Sequence, residues 1–584
     1  MARVLLIGAP GVFGSRIAAL LAAPAVRAGP PFIGELVLAA RNGAAAAALA
    51  QSLAAAPPPG AGTGTGVVVK SVALDAADAG ALARTLASVR PHIVINTAGP
   101  FQGSDYRVAE AAVAAAAHYV DIADGREYVT RAPAALDAAA RAAGVTVLVG
   151  ASTTPTVTGA AVAAATAGWH AVHTVDVGIS PGNQTPRGIA TVAAILSYVG
   201  KPIPWYDHGA ATTVPGWSSL RRRGLAVGGS DADSLPPRWF AAVDVPDASL
   251  FPSAFRVRDR VTFRAGLELG WMHLGLWAAS LLVRVRAMPS LTPLARPLLA
   301  IAGAAKSRGT PHGGMFVDVA GVDADGVPAR AEFGMIGRDG DGPYTPALAA
   351  VALTRHLAAR DGVLPPGAAV ALGQIPLAAL FREAANLRIA WSLTRTAPVY
   401  EAASGAAAYA RLPPPIRRLH DVQHTATWVG EAAITPATGL LARIIATVFA
   451  MPRTHADAAP LRFDITVARH PVTGRLVETW ARRFGVGTPH ESRFVSTQEA
   501  DGDTVVERFG PWAFYMRVLT APAGLDLLLS RVTFAGIPLP RAAWPHMTAN
   551  ERVVDGRFSF FVRIALPFIG HLVQYTGTLT PHTT

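Results

Sequence analysis

Residues 4–14, which read VLLIGAPGVFG, decide the fold of the first part of the chain. The apolar run Val4–Ile7 predicts a buried strand, and Ser15–Leu21 mixes small and large apolar residues as a helix does. Three glycines lie between them: Gly8, Gly11 and Gly14. A strand, a glycine turn and a helix indicate a dinucleotide site. Glycines have no side chain, so the backbone can approach a pyrophosphate closely, and the N-terminus of the helix offers free N–H groups to it. The spacing G-x-x-G-x-x-G also fits an ordinary strand-to-helix turn.

Strands and helices continue to alternate up to residue 150, which predicts an α/β fold with a parallel sheet of the Rossmann type. Segments rich in proline and glycine at residues 28–31 and 57–66 are expected to break the pattern. The further strands are expected at Glu35–Ala40, Val67–Asp75, Ile93–Asn96, His118–Asp124 and Val145–Gly150.

Polar residues follow the second and third of these strands. Arg41 and Asn42 come directly after the second strand, and Asp75 ends the third. In a nucleotide fold the end of the second strand faces the adenosine ribose, where an arginine pairs with a 2′-phosphate. Arg41 therefore predicts NADP rather than NAD, and Asp75 is expected at the adenine. A solvated arginine at a strand end is the alternative reading.

The fourth strand ends in Asn96, and a turn with a Gly-Pro pair follows it. We expect this turn, which contains Ala98, Gly99 and Pro100, beside the nicotinamide half of a cofactor. Side chains just beyond it are candidate proton donors, because a phenol, an imidazole or a carboxyl group serves in that role when its pKa is tuned. These candidates are Tyr106, His118, Tyr119 and Asp121. Alternatively, they are ordinary residues of a fifth strand and its surroundings.

Taken together, residues 8–14, 40–42, 95–101 and 118–121 resemble the saccharopine dehydrogenase superfamily, above all its reductase-like members. The resemblance covers residues 1–150 and implies a cytoplasmic, bacterial protein with an NADP-binding domain. It leaves the substrate open, because members of the superfamily act on unlike molecules. By this resemblance the pyrophosphate contacts Gly8, Gly11, Val12, Phe13 and Gly14, the 2′-phosphate contacts Arg41, and the nicotinamide side contacts Asn96, Ala98, Gly99 and Pro100.

Composition excludes several other functions. The 584 residues contain no cysteine, so disulfides, thiolate metal ligands and a cysteine nucleophile are ruled out. The net charge is +12, but the arginines are dispersed apart from Arg221–Arg223, which argues against a nucleic acid partner. No G-K-[ST] motif occurs, which argues against an NTP-driven protein. A first strand in place of a signal sequence favours the cytoplasm.

Residues 151–400 are expected to form an α+β domain of the saccharopine dehydrogenase type, which supplies the substrate pocket, and a homodimer is left open. Gly314–Gly321 and Ala329–Ile336 predict a hairpin. Ala265–Val283 is apolar over about the length of a membrane span, but it contains Glu268 and His273, and a buried charge is costly in a membrane. We therefore expect a buried or amphipathic helix. Its possible functions are contact with a membrane surface or a place in the wall of a lipid pocket.

From Leu461 onward, short segments with alternating apolar residues predict an antiparallel β-rich domain, placed at residues 415–584 after the linker Pro413–Pro415. Residues 480–484 and 507–511 resemble an uncharacterised bacterial domain that often follows saccharopine-dehydrogenase-like domains. A curved sheet covered by a helix at Thr438–Phe449 can enclose a hydrophobic ligand. Its head group is then expected near Trp480, Arg482 and Arg508. A purely structural domain is the alternative.

His420 and His424 have the spacing of a helical metal-binding pair. No H-E-x-x-H signature accompanies them, and no metal site is predicted.

These observations favour an NADP-dependent oxidoreductase that acts on a carbonyl, imine or enoyl group of a hydrophobic, lipid-like small molecule. Two alternatives remain: a sensor or scaffold that binds NADP without turnover, and an amino-acid dehydrogenase of the saccharopine type.

Overall fold

The structure is a computed structural model that describes residues 1–23, 33–55, 67–186, 188–228, 230–324, 326–359, 364–422, 425–470 and 475–582. Internal contacts divide the chain into two compact units. The first contains residues 1–319 and 331–394, and the second contains residues 320–330 and the chain from Arg395 onward. Residues 1–150 and most of the segment expected at 151–400 thus lie in the first unit, while residues 320–330 and 395–400 lie in the second. The expected breaks at 28–31 and 57–66 lie outside the described residues.

The first sheet confirms the Rossmann-type prediction. Its strands are β1 (Ala2–Ile7), β2 (Ile33–Ala40), β3 (Val68–Ala73), β4 (Ile93–Asn96), β5 (His118–Asp121) and β6 (Thr146–Val149). The helices between them are α1 (Gly14–Ala22), α2 (Gly43–Ala55), α3 (Ala79–Val89), α4 (Arg107–Ala114) and α5 (Arg126–Ala142). All pairings are parallel, in the order β3-β2-β1-β4-β5-β6. The chain changes direction across the sheet between β1 and β4, and ligands bind at such a switch point, beyond the carboxyl ends of the strands.

A second, mixed sheet follows in the same unit. Its helices and those next to it are α6 (Thr158–Ala165), α7 (Ile189–Tyr198), α8 (Asp247–Ala254), α9 (Gly270–Arg284), α10 (Ala295–Ala304), α11 (Thr345–Ala358) and α12 (Leu377–Arg382). The strands are β7 (Ala171–Ser180), β8 (Pro202–Asp207), β9 (Ala210–Pro215), β10 (Arg221–Val227), β11 (Ser230–Ala242), β12 (Arg260–Ala265), β13 (Gly313–Val322), β14 (Pro328–Gly337), β15 (Gly367–Val370) and β16 (Ile389–Arg395). The order is β10-β11-β12-β7-β13-β14-β16, while β15 joins the first sheet beside β6. The hairpin prediction is confirmed as β13 and β14.

A buried ion network crosses this sheet. The guanidinium of Arg223 is 2% exposed, and it donates to the carboxylates of Asp318 and Glu332. Its charge also lies 3.7 Å from the ring centroid of Phe316. Burial by itself lowers the pKa of Arg223, but the two carboxylates outweigh it and raise that pKa. Three charged groups are therefore desolvated together, which is tolerable only while all of them are paired.

The apolar segment Ala265–Val283 divides between the end of β12, a loop and α9. Glu268 in the loop accepts hydrogen bonds from the backbone N–H groups of Asn183 at 2.6 Å and Thr310 at 2.9 Å. Within the described ranges, no helix is long and apolar enough to cross a membrane. Contact with a membrane surface stays a prediction. The outer face of α9 exposes the apolar side chains Trp271, Leu281 and Leu282.

His273 on α9 makes the first unit sensitive to acid. It is fully buried against Trp217, with ring centroids 4.9 Å apart, and burial lowers its pKa from 6.5 to about 4. The unfolded chain binds a proton near pH 6.5 and the folded chain only near pH 4. Stability is therefore complete above pH 6.5 and falls by about 3 kcal/mol as the pH drops to 4.

We expect His273→Phe to remove one proton from the pH dependence of unfolding, measured by calorimetry, whereas the exposed His208→Phe leaves it unchanged. The account is contradicted if the free energy of unfolding changes with pH by the same slope in the wild type and in both variants.

The second unit is a closed antiparallel barrel, which confirms the β-rich prediction. Its helices are α13 (Val399–Ser404), α14 (Ala406–Tyr409), α15 (Pro414–His420) and α16 (Leu440–Val448). Its strands are β17 (Thr425–Pro436), β18 (Ala456–Arg469), β19 (Leu476–Phe484), β20 (Ser492–Asp501), β21 (Thr504–Phe509), β22 (Trp512–Ala521), β23 (Gly524–Phe534), β24 (Ile537–Pro538), β25 (His546–Val554), β26 (Arg557–Leu566) and β27 (Gly570–Pro581). Pairing of β22 with β23 closes a ring of ten strands, from which the two-residue β24 branches. The expected linker Pro413–Pro415 instead leads into α15.

Candidate functional site

The turn between β1 and α1 has the geometry that its glycines predict. Gly8 has a φ of +83°, and a Cβ placed there would lie 2.7 Å from Oγ1 of Thr97. A Cβ at Gly14 would lie 2.4 Å from the carbonyl oxygen of Gly8. The backbone N–H of Gly11 donates to that same carbonyl at 3.0 Å. The turn is therefore packed too tightly for side chains at Gly8 and Gly14, and its backbone stays open to a ligand.

The N-terminus of α1 is suited to an anion. Phe13, the residue before the helix, makes no side-chain capping bond, and the first turn contains no acidic residue. The N–H of Ser15 donates to the carbonyl of Gly11 at 3.0 Å, but no side chain caps the other first N–H groups of the helix, and the positive end of the helix dipole lies beside them. Arg16 adds a full charge here: its Nη1 donates to the carbonyl of Val12, while its Nε is buried with no partner among the residues described. The sequence reading missed Arg16, although an arginine two residues after Gly14 was a visible signal.

The residues expected at the adenosine end lie where predicted, after β2 and β3. Arg41 is exposed, and the structure assigns it no ion pair with any described residue. The side chain of Asn42 caps α2 by accepting from the backbone N–H of Ala45 at 3.1 Å. Asp75 is exposed and accepts from the N–H of Ala77 at 3.0 Å. Asn42 and Asp75 therefore shape the local backbone, and Arg41 has its charge free for a ligand.

On the other side of the switch point, Asn96 holds the turn that was expected beside the nicotinamide. It is buried at the end of β4, and its Oδ1 accepts from the N–H of Ala98 at 3.0 Å. Its Nδ2 donates to the hydroxyl of Tyr119 at 3.1 Å. Gly99 and Pro100 follow on the exposed face of the turn. The side chain of Asn96 thus fixes the backbone of the Ala98–Pro100 turn, and the exposed surface of this turn is accessible to a ligand.

Three of the four candidate proton donors, Tyr106, Tyr119 and Asp121, lie in one polar cluster with Tyr128. Tyr106 donates to the carbonyl of Tyr128 at 3.0 Å, and the hydroxyls of Tyr119 and Tyr128 lie 3.5 Å apart. Asp121 is fully buried, and its Oδ1 accepts from the backbone N–H of Gly150 at 2.8 Å. Burial raises its pKa to about 6 and also raises the pKa of Tyr106. These groups hold the carboxyl ends of β5 and β6 together, and none of them is exposed.

The structure does not bring His118 to this cluster. His118 begins β5 whereas Asp121 ends it, which separates the two by about 10 Å along the strand. Its Nδ1 accepts from the N–H of Thr146, the first residue of β6, at 3.0 Å. Burial lowers its pKa. His118 therefore lies at the edge of the sheet opposite to the one that binds nucleotides in this fold.

Long-range packing adds three residues that the sequence reading missed. Arg126, the first residue of α5, and Asp244, in the loop before α8, form an ion pair at 2.7 Å. The pKa of Tyr198, at the end of α7, is raised by burial and by the carboxylates of Asp244 and Asp124. A Cβ on Gly125 would lie 3.3 Å from the backbone of Gln102 and Phe101. Gly125 and the ion pair beside it therefore lie next to the segment that follows β4.

The barrel of the second unit encloses a cavity of about 700 Å³. Trp480 and Arg482 lie in its wall, as expected for a head-group contact. Arg482, however, already pairs with Glu507 at 3.0 Å, and Arg508 forms an outward ion pair with Glu499 at 2.8 Å. The expected head-group contact with a carboxylate or phosphate is therefore corrected, because both arginines have internal counter-ions.

Two groups in the described part of the chain contain metal-ligand atoms, one around His420 and one on the surface at Asp207, His208 and Asp259. His420 is buried, and its Nε2 lies 2.7 Å from Oε2 of Glu551, while His424 lies outside the described residues. Elsewhere Asp207, His208 and Asp259 bring ligand atoms within 4.8 Å of one another. Arg260 forms ion pairs with both of these aspartates. Neither group thus offers carboxylates free of a cationic partner.

Two regions of the chain match known families. Residues 4–148 match the saccharopine dehydrogenase NADP binding domain, and residues 412–579 match DUF4166, a domain of unknown function. No curated protein sequence matches the chain significantly.

Similar solved structures include two dehydrogenases. Apo saccharopine dehydrogenase (L-Glu forming) from Saccharomyces cerevisiae is 14% identical, with a TM-score of 0.47, over 68% of this chain and 100% of that chain. The amine dehydrogenase from Mycobacterium smegmatis is 13% identical, with a TM-score of 0.32, over 63% of this chain and 95% of that chain. The chain is thus similar to the saccharopine dehydrogenase NADP binding domain over residues 4–148 and to DUF4166 over residues 412–579.

Proposed function

We propose that the protein is an NADP-dependent oxidoreductase that moves a hydride between the nicotinamide and a carbonyl, imine or activated C=C group of a hydrophobic small molecule. The observation that carries the proposal is the nucleotide site at the β1–β4 switch point. There a tight glycine turn, an uncapped α1 and the free charge of Arg41 occur together. The apolar cavity of the second unit supports a hydrophobic substrate.

The fit of the site to NADP rests on its donors. The N–H groups at the start of α1 would bind the pyrophosphate with Arg16 beside them, and Arg41 would bind the 2′-phosphate. Asn96 would keep the Ala98–Pro100 turn against the nicotinamide side. The bound cofactor supplies the hydride chemistry, and the protein orients it and excludes water. Tyr106 and Asp121 act as positioning residues, because their polar atoms hold neighbouring backbone.

Arg41→Ala is expected to weaken NADPH binding by about 10- to 100-fold and to leave NADH binding almost unchanged. A hydrogen-bonded ion pair with the 2′-phosphate contributes ~1.5–3 kcal/mol, and NADH has no such group. Isothermal titration calorimetry with both nucleotides measures the preference. Arg141→Ala, on an exposed arginine at the far end of α5, is the control and keeps it. Equal loss for both nucleotides contradicts the assigned role of Arg41.

A turnover assay separates the oxidoreductase from an NADP-binding sensor. NADPH oxidation is followed by absorbance with a panel of apolar aldehydes, ketones, imines and enones. Turnover of at least one compound is expected, whereas tight NADPH binding without turnover on the whole panel favours the sensor.

A further inference from the structure

The cavity inside the barrel is large and its wall is almost entirely apolar. Thirty of the 35 residues that line it are apolar or aromatic, and the other five are Arg482, Gln498, Glu507, Asn550 and Glu551. Interiors of eight-stranded barrels are just filled by side chains or hold one small ligand, and ten strands enclose a wider space. A volume of about 700 Å³ lies within the range of small-molecule sites. We propose that this cavity binds one uncharged, predominantly apolar molecule that carries a single hydroxyl group.

The charged groups in the wall indicate that the ligand is uncharged. Arg482 contacts Glu507 at 3.0 Å and donates to Oγ of Ser496 at 2.8 Å. Glu551 pairs with His420 at 2.7 Å. Each charge in the wall therefore has its counter-ion within hydrogen-bond distance. A ligand carboxylate or ammonium would have to break one of these pairs or stay unpaired in an apolar space, and both are costly.

Gln498 indicates where the ligand's polar group lies. It is 2% exposed, lies in the cavity wall on β20, and its Oε1 has no hydrogen-bond partner among the residues that the structure describes. A buried acceptor without a partner is destabilising, and a ligand hydroxyl removes that cost by donating a hydrogen bond to Oε1. Among the described polar residues of the wall, Gln498 is the one whose buried side-chain oxygen has no partner, which fits a ligand with one hydroxyl group.

The mouth of the cavity offers an apolar route of entry. Ile445 of α16 and Phe449, the residue after it, line the cavity, while Leu440 and Val448 of the helix are 80% and 78% exposed. Phe568, in the turn between β26 and β27, also lines the cavity and is fully exposed. An apolar molecule thus meets exposed apolar side chains before it enters, so that part of its desolvation precedes full burial.

Nile red, a neutral apolar dye whose fluorescence rises in apolar surroundings, tests the site in the full-length protein. We expect saturable binding of one dye per chain. Ala549→Phe and Val562→Phe, which fill the cavity from the paired strands β25 and β26, are expected to lower dye affinity at least tenfold. Ala481→Phe is the control, because Ala481 alternates with the inward-facing Trp480 and Arg482 and points outward.

Competition with 1-dodecanol and dodecanoate tests the charge of the ligand. The alcohol is expected to displace the dye at a concentration at least tenfold lower than the carboxylate, and Gln498→Leu is expected to reduce this difference. Equal or better displacement by dodecanoate overturns the proposal. Unchanged dye binding in either cavity variant whose thermal transitions match those of the wild type also overturns it, since the dye then binds elsewhere.

The hydrophobic substrate class proposed above rests on this site, but cofactor binding does not. NADPH titration of the same samples therefore keeps the two apart. Dye binding without NADPH binding refutes the oxidoreductase and leaves the cavity site standing, and the reverse result refutes only the cavity site.

Discussion

Gly8→Ala is expected to abolish nicotinamide nucleotide binding, with a loss of affinity of about 100-fold or more. Alanine disfavours the φ of +83° found at this position, and its Cβ would lie 2.7 Å from Thr97 Oγ1 and 3.0 Å from the backbone N of Ala98. Backbone strain of this kind costs ~1–3 kcal/mol, and overpacking costs a similar amount. Because the turn lies between the pyrophosphate site and the Ala98–Pro100 turn, its displacement disturbs both halves of the cofactor. Calorimetric titration with NADPH and NADH measures the loss.

Gly168→Ala is the matched control for backbone strain. Gly168 has a φ of +78°, close to that of Gly8, but no atom lies within 4 Å of a Cβ placed there. The control variant should lose some stability and bind NADPH with a Kd within about twofold of the wild type, since its strain lies away from the turn. If Gly8→Ala binds NADPH as tightly as this control, the glycine turn is an ordinary strand-to-helix turn and the cofactor assignment fails.

Arg223→Ala is expected to destabilise the first unit by about 3–5 kcal/mol. It leaves the carboxylates of Asp318 and Glu332 buried without their guanidinium partner, and breaking a buried pair from one side costs that much. It also removes the contact with the ring of Phe316. Calorimetric unfolding is the measurement, and the transition that shifts when NADPH is added identifies the first unit.

Arg222→Ala is the control for this substitution. Arg222 is exposed on the same strand, and its charge lies 6.0 Å from the ring centroid of Trp239. Its loss should change the stability by no more than about 0.5 kcal/mol, because exposed substitutions away from special features have small effects. Equal destabilisation by the two substitutions would show that the ion network does not hold the sheet together.

Patterns confined to a few adjacent residues were read correctly from the sequence. The run Val4–Ile7 and the glycines after it predict a buried strand and a tight turn, because both depend on interactions within one short segment. The alternation Leu476–Phe484 likewise gives β19, since side chains of a strand face opposite sides in turn. The five strands β8–β12 were not predicted. Their prolines, glycines and arginines lack a clear apolar period, and the sheet around them supplies the missing burial and counter-ions.

The residues of the candidate site also fall into those that local sequence places and those that only the structure places. Gly8, Gly14 and Arg41 stand at ends of strands, so their positions at the edge of the sheet follow from the order of elements alone. The distance of His118 from that edge was knowable only from where β5 starts and ends.

By itself, the sequence determined the nucleotide fold, its glycine turn, the alternating strands of the second unit and the absence of cysteine chemistry, because each is a property of local spacing or composition. Only the tertiary structure decided that β22 and β23 close the barrel, that Arg482 and Glu551 find counter-ions, and that Gln498 lies in the wall of an apolar cavity. The physical reason is that these features join residues far apart in the chain. Their energies depend on burial and pairing, which no local pattern records.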